Sequence, residues 1–208
     1  MPARAVLFDV DGTLVDNLTN QRRVWEAWAA GLALDGDVVW ACAQRTTPRE
    51  TFAQVAPDRD PDACLAQLHE IEDQDARAGS YEAFAGARDL LRGLPADEWA
   101  VVTSNYTHRV KIRFERLGLP QPAVVIDAEA VTRGKPDPEG YLSAAAKLGV
   151  APAQCLVCED GEAGIRAGVA AGMTVWAVNA GARSAHAHCR YLTLDEAADD
   201  IHRWLRAG

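Results

Sequence analysis

The apolar positions of this chain follow two periods. Uninterrupted short runs, Ala5-Val6-Leu7-Phe8, Trp99 to Val102, Ala123 to Ile126, Cys155 to Cys158 and Thr174 to Val178, have the length of strands buried on both faces. Between the later runs the spacing widens to that of a helix, with Val110, Phe114 and Leu117, then Tyr141, Leu142, Ala145 and Leu148. Strands alternating with helices predict an α/β fold built on a doubly wound parallel sheet, covered on both faces.

From about Asp16 to Ala85 that rhythm stops. No convincing strand is visible there; Val24, Trp25, Trp28 and Leu32 mark one amphipathic helix, and Cys64, Leu65, Leu68 and Ile71 another. Pro48, Pro57, Pro61, Gly36 and Gly79 punctuate the segment. The expected organisation is therefore an α/β core made of residues 1–15 and 86–208, with residues 16–85 as an all-helical insert. An insert placed immediately after the first strand and its loop is expected to act as a lid over that loop.

Ligands of an open parallel sheet gather where the strands end, so chemistry is sought at those positions. Asp9 and Asp11 follow the first run, two carboxylates one residue apart, a hard-oxygen pair suited to Mg²⁺ and to a nucleophile. Gly12 permits a tight exit that brings backbone N–H groups near an anion, and Thr13 ties the loop down. Thr103, Ser104 and Asn105 follow Trp99 to Val102, and Glu159 and Asp160 follow Cys155 to Cys158, ahead of the small-residue run Ala163 to Gly168. Lys135 lies in the loop beyond Ala123 to Ile126. Taken singly, Thr103 and Ser104 also fit a cap for the helix starting near Thr107, and Lys135 also fits a solvated charge. Together they supply a nucleophile, an acid/base, donors, a cation and metal ligands, the parts that phosphoryl transfer requires.

The totals narrow the field. The 208 residues are 49% hydrophobic and 25% charged, an ordinary globular composition. No stretch approaches the about 20 apolar residues of a membrane span, no signal-peptide pattern is present, and the expected compartment is the cytoplasm. A formal net charge of −9 argues against a nucleic-acid partner. The five cysteines suit reduced thiols; Cys155 and Cys158 sit in a strand, where residues three apart face opposite sides, and not at a redox-competent helix start. His186, His188 and Cys189 lack a second ligand pair at zinc spacing and read as a solvated loop.

The chain resembles the haloacid dehalogenase superfamily over essentially its whole length, in the phosphatase branch with a helical cap after the first strand. The carrying segments are Leu7 to Asp16, Val101 to Ser104, Gly134 to Leu142 and Glu159 to Ile165, and they are most similar to the small sugar-phosphate and glycerol-phosphate phosphatases. The resemblance implies a Rossmann-like fold and a Mg²⁺-dependent hydrolysis through an aspartyl-phosphate. In it Asp9 attacks phosphorus, and Asp11 protonates the leaving alcohol and then activates water. Asp9, the Asp11 carbonyl and Asp160 hold Mg²⁺, with Glu159 supporting them from behind. Thr103 and the Ser104 N–H bind phosphoryl oxygens, together with the loop at Gly12 and Thr13, and Lys135 neutralises charge and orients Asp9. Where the family's cap commonly carries a His-Gly-Arg-like turn before Arg-Glu-Thr, this chain reads Ala43-Gln44-Arg45-Thr46-Thr47-Pro48-Arg49-Glu50-Thr51. Arg49 is expected to meet the substrate, although a surface arginine on the lid fits it nearly as well. The missing histidine weighs against a phosphomutase of the β-phosphoglucomutase type, the main alternative, and leaves substrate choice open. Asn105, Asn17 and Gly161 replace residues usual in the family, and Phe84-Ala85-Gly86 lacks a common proline; Asn105 and Asn17 are expected to narrow or re-polarise the pocket. A dehalogenase has no use for Asp11 or for the acids at 159 and 160, and a signalling receiver domain is about half as long. A catalytically silent phosphate-binding protein shares the fold and remains the remote alternative. The expected partner is a small phosphate ester, bound by a monomer or homodimer.

Overall fold

The structure, a computed structural model, describes residues 3–179 and 185–207. They fall into two compact units, one drawn from Met1–Asp16 and Glu82–Gly208, the other formed by Asn17–Tyr81.

The first unit starts with β1 (Ala5–Phe8), whose four residues are all fully buried, as a strand packed on both faces must be. A short antiparallel ribbon of β2 (Val15–Asp16) and β3 (Glu82–Ala83) brackets the insertion, pairing Val15 with Ala83 and Asp16 with Glu82. The chain then alternates through α5 (Ala87–Gly93), β4 (Trp99–Val102), α6 (Thr107–Leu117), β5 (Val125–Ile126), α7 (Glu139–Leu148), β6 (Cys155–Glu159), α8 (Glu162–Ala170), β7 (Thr174–Val178), β8 (Cys189–Tyr191) and α9 (Leu194–Arg206). The six-stranded sheet has the order β5-β4-β1-β6-β7-β8, and every neighbouring pair is parallel. Strand order reverses at β1: β4 and β5 lie to one side, β6 to β8 to the other. That reversal opens a crevice at the C-terminal end of β1, where ligands of such sheets bind. Ala5, Leu7, Cys155 and Val157 share one core cluster with Tyr141 and Ala144 of α7 and Ile165 of α8.

The sequence reading holds for the doubly wound α/β class and for all five strands it named, with differences at the edges. β5 covers Val125–Ile126 and not the whole of Ala123 to Ile126, and β6 runs one residue further, so that Glu159 is part of the strand. The ribbon is absent from that reading because two-residue strands show no periodicity. Cys189 opens β8 and is not in a solvated loop, and His188 accepts the Val175 N–H at Nδ1 (3.1 Å). His186 remains exposed beside Glu162.

The second unit is helical throughout: α1 (Leu18–Gly31), α2 (Gly36–Ala43), α3 (Pro48–Val55) and α4 (Pro61–Ala78). Its helix starts are locally encoded. Asp35 and Asp60 accept the first N–H groups of α2 and α4, and Thr47 with Glu50 forms a capping box ahead of Pro48. Val24, Trp28, Phe52, Cys64 and Leu68 form its core, with the Trp28 and Phe52 rings 5.0 Å apart.

Candidate active site

The site grows from the end of β1. The Val10 carbonyl accepts the N–H groups of Thr13, Leu14 and Val15, and Gly12 N–H bonds back to the Val15 carbonyl at 2.9 Å, so residues 10–15 close into a tight loop. Gly12 has φ +97, and a Cβ there would stand 2.2 Å from Asp160 Oδ2. Glycine is required twice over, by the backbone conformation and by the close approach of the acid. Asn179, after β7, ties the loop from the other side: its Nδ2 donates to the carbonyls of Gly12 (3.0 Å) and Thr13 (3.1 Å).

Five of the residues singled out in the sequence converge here. Lys135 Nζ donates to Asp9 Oδ1 at 2.5 Å, to Glu159 Oε1 at 2.6 Å and to the Val102 carbonyl at 3.0 Å. Thr13 Oγ1 donates to Asp160 Oδ1 at 3.2 Å. Glu159 is saturated by protein donors: Oε1 accepts Lys135 and the Tyr141 hydroxyl (3.1 Å), while Oε2 accepts the N–H groups of Asp160 (3.1 Å) and Gly161 (3.0 Å). The thin start of α8 makes room for it, since a Cβ on Gly164 would fall 1.6 Å from Glu159 Oε1.

The electrostatics follow from this crowding. Burial pushes the Asp9 carboxyl up; Lys135 lowers it, and the charges of Glu159 and Asp160 raise it again. Burial works against the Lys135 ammonium, but Asp9 and Glu159 outweigh it and hold the lysine protonated. Asp160 is pushed up to about 6 by burial and by Glu159, against the Thr13 hydrogen bond. One oxygen or more from each of Asp9, Glu159 and Asp160 lies within 4.8 Å of the others, the one such group of acids among the described residues. Ionised, these three carboxylates face a single ammonium. Two negative charges and hard oxygen donors are the complement of a divalent cation.

The other sequence-selected residues take more specific positions. Thr103 Oγ1 accepts the Asn105 N–H at 3.0 Å, which leaves the hydroxyl hydrogen to donate. The helix cap weighed for Thr103 and Ser104 is built otherwise: Asp127, after β5, accepts the N–H (3.0 Å) and hydroxyl (2.5 Å) of Thr107. Asn105 points its Nδ2 at Asp11 Oδ2, 3.1 Å away. A cavity of about 280 Å³ in this unit is lined by Thr103, Ser104, Asp127, Lys135 and Tyr141 among others. Arg49 belongs to the helical unit, where it is exposed and donates to Asp62 Oδ1 at 2.6 Å. Asn17 is buried at the start of that unit.

Sequence reasoning passed over Arg113, Tyr141 and Asn179. Arg113 Nη1 donates to Asp11 Oδ1 at 2.8 Å from a side chain only 6% exposed. Its signal was present: three residues after Val110 and next to Phe114, it occupies the apolar stripe of α6. Tyr141 belongs to the core, as its helical spacing implies, yet its hydroxyl serves Glu159 and its ring lies 5.3 Å from Lys135 Nζ. Nothing in the sequence marks Asn179.

The haloacid dehalogenase-like hydrolase family matches residues 3–172. Hexitol phosphatase A of Escherichia coli (strain K12) is 40% identical over 188 residues, covering 86% of this chain and 85% of its own. A fructose-1-phosphate phosphatase of the same organism is 29% identical over 183 residues, 81% of this chain and 92% of its own. Among solved structures, a haloacid dehalogenase family hydrolase from Deinococcus radiodurans R1, with bound phosphate and sodium, superposes with a TM-score of 0.72 at 27% identity, over 100% of this chain and 99% of that one.

Proposed function

The chain belongs to the haloacid dehalogenase-like hydrolase family, and on that footing we propose that it is a phosphoric monoester hydrolase acting on a small phosphorylated sugar or polyol, with Mg²⁺ as cofactor. The observation that carries the reading is the Asp9 carboxylate at the end of the central strand, held by the Lys135 ammonium at 2.5 Å and flanked by Asp160. The names of the two relatives, a hexitol and a fructose-1-phosphate phosphatase, support the substrate class.

In this reading an Asp9 oxygen attacks phosphorus as the bond from phosphorus to the ester oxygen breaks, leaving the phosphoryl group on Asp9. Asp11 gives its proton to the departing alcohol, then takes one from the water that attacks the aspartyl-phosphate, which frees phosphate and restores Asp9. Lys135, Thr103 and the Ser104 N–H meet the charge spread over the phosphoryl oxygens. Asp9, Asp160 and the Asp11 carbonyl would hold Mg²⁺, which supplies further neutralisation of those oxygens when bound. Glu159, with both oxygens already engaged by the protein, holds Lys135 and the Asp160 backbone in place. The helical unit, inserted directly after the loop that bears Asp9 and Asp11, is assigned the choice of ester. Arg49, paired with Asp62, is free to contribute there only by exchanging that partner.

The test is phosphate release from a panel of sugar and polyol monophosphates. Release by the wild-type protein should require Mg²⁺, stop with EDTA, and fall by more than about 10³-fold in Asp9→Asn. Activity that survives Asp9→Asn, or none on any ester, overturns the reading.

A further inference from the structure

Arg113 is a buried cation with an unusual errand. It lies on the apolar stripe of α6 between Val110 and Phe114, where a guanidinium is costly to desolvate unless a carboxylate meets it. It meets the carboxylate of Asp11, 102 positions away in sequence, through Nη1 to Oδ1 at 2.8 Å. The other Asp11 oxygen, Oδ2, accepts the Asn105 amide at 3.1 Å. Both donors belong to the stretch of chain from the end of β4 into α6, so one segment holds the carboxylate through both of its oxygens. The two contacts differ in kind. The Arg113 bond joins two opposite charges at 2.8 Å; the Asn105 donor is a neutral amide, and its bond to the same carboxylate is longer.

We propose that Arg113 is a positioning residue for the reaction: by anchoring Asp11 Oδ1 it orients the carboxyl so that Oδ2 passes the proton to the leaving alcohol. The inference rests on the reading of Asp11 as the acid/base. As the bond from phosphorus to the ester oxygen breaks, that oxygen takes the proton from Oδ2, and the negative charge left on Asp11 is met by the guanidinium already in contact with Oδ1. When water attacks the aspartyl-phosphate, Oδ2 takes the proton back. Asn105 can stay in place throughout, because a carboxyl oxygen carrying a proton keeps a lone pair for the amide. Arginine suits the post because its charge does not titrate and its planar fork holds direction, which lysine lacks.

A structural ion pair and a positioning pair differ in how they respond to the leaving group. An aliphatic alcohol needs the proton as it departs, whereas p-nitrophenolate leaves without it. The experiment measures kcat and KM with a hexitol monophosphate and with p-nitrophenyl phosphate for the wild-type protein, Arg113→Met, Asp11→Asn and the double variant. Arg113→Met should lower kcat/KM for the hexitol ester by about 10²-fold, through kcat with KM little changed, and for the aryl ester by less than about threefold. It should add no further loss in the Asp11→Asn background, since residues acting as one unit are non-additive. Equal losses of kcat/KM on both esters, or a further loss on top of Asp11→Asn, overturn the proposal. If Arg113→Met does not yield folded protein, Arg113→Gln carries the same expectations and the same contradiction. A wild-type protein inactive on both esters overturns the phosphatase reading and this proposal with it. A wild-type protein active through Asp9, whose Arg113 variants lose kcat/KM on both esters alike, overturns this proposal alone.

Discussion

Asp9, Glu159 and Asp160 can share so small a space because glycines stand at the two positions that any side chain would block. Gly12 gives way to Asp160, and Gly164 to Glu159. Gly164→Ala is the sharper probe, because that residue is helical with an ordinary backbone and the change adds one methyl group directly onto Glu159 Oε1. The displaced carboxylate would release Lys135 and Tyr141 together. The expected result is a loss of about 1–3 kcal/mol in thermal or denaturant unfolding, with a fall in phosphate release larger than the stability loss explains. At this scale the sequence was legible where residues stand at strand ends, because there position alone implies convergence: Asp9, Glu159, Asp160 and Thr103 were found that way. Lys135 was legible only through its neighbours. Arg113 and Tyr141 were not, because a helical period says that a side chain is buried and nothing about which distant group it meets. Asn105 was expected to shape the pocket, and its contact is with Asp11, a partner 94 positions away.

Elements repeat that contrast. Long periodic segments are strongly encoded, and the helices of the second unit carry their own start signals in Asp35, Thr47 and Asp60. The β2–β3 ribbon and β8 are short, and pairing with a neighbour, not local pattern, makes them strands. The join between α1 and α4 depends on one buried acid in the same way. Asp75 accepts hydrogen bonds from Asn20 (2.9 Å), Arg23 and the Tyr81 hydroxyl. Burial pushes its carboxyl up, but the bonds from Tyr81, Asn20 and Arg23 outweigh it and hold it below its ordinary value. A carboxylate with a lowered value in the folded state stabilises above its unfolded value, about 4, and ceases to do so as pH falls through the folded one. Asp75→Asn should therefore lower stability by about 1–3 kcal/mol near neutral pH. Melting curves of the two proteins should draw together only as the pH drops below about 4; a gap that does not change with pH would assign the effect to packing.

For the whole molecule, the formal charge of −9 and the anionic character of the reaction are reconciled locally. Lys135 and Arg113 place two largely buried cations against Asp9, Glu159 and Asp11, and in the proposed mechanism Lys135 is the fixed charge that meets the phosphoryl group, in place of a general attraction. The parallel sheet gathers these groups from residues 9 to 160 into one crevice because strand order reverses at β1. Among the described residues no helix is long and apolar enough to cross a membrane. The central claim is that Asp9 carries the phosphoryl group between ester and water. Its most direct test is acid quenching during turnover of a ³²P-labelled polyol phosphate in the presence of Mg²⁺. The account predicts label bound to the chain, removed by hydroxylamine as an acyl phosphate must be, and absent from Asp9→Asn; turnover in which label never reaches the chain, or reaches Asp9→Asn undiminished, would contradict it.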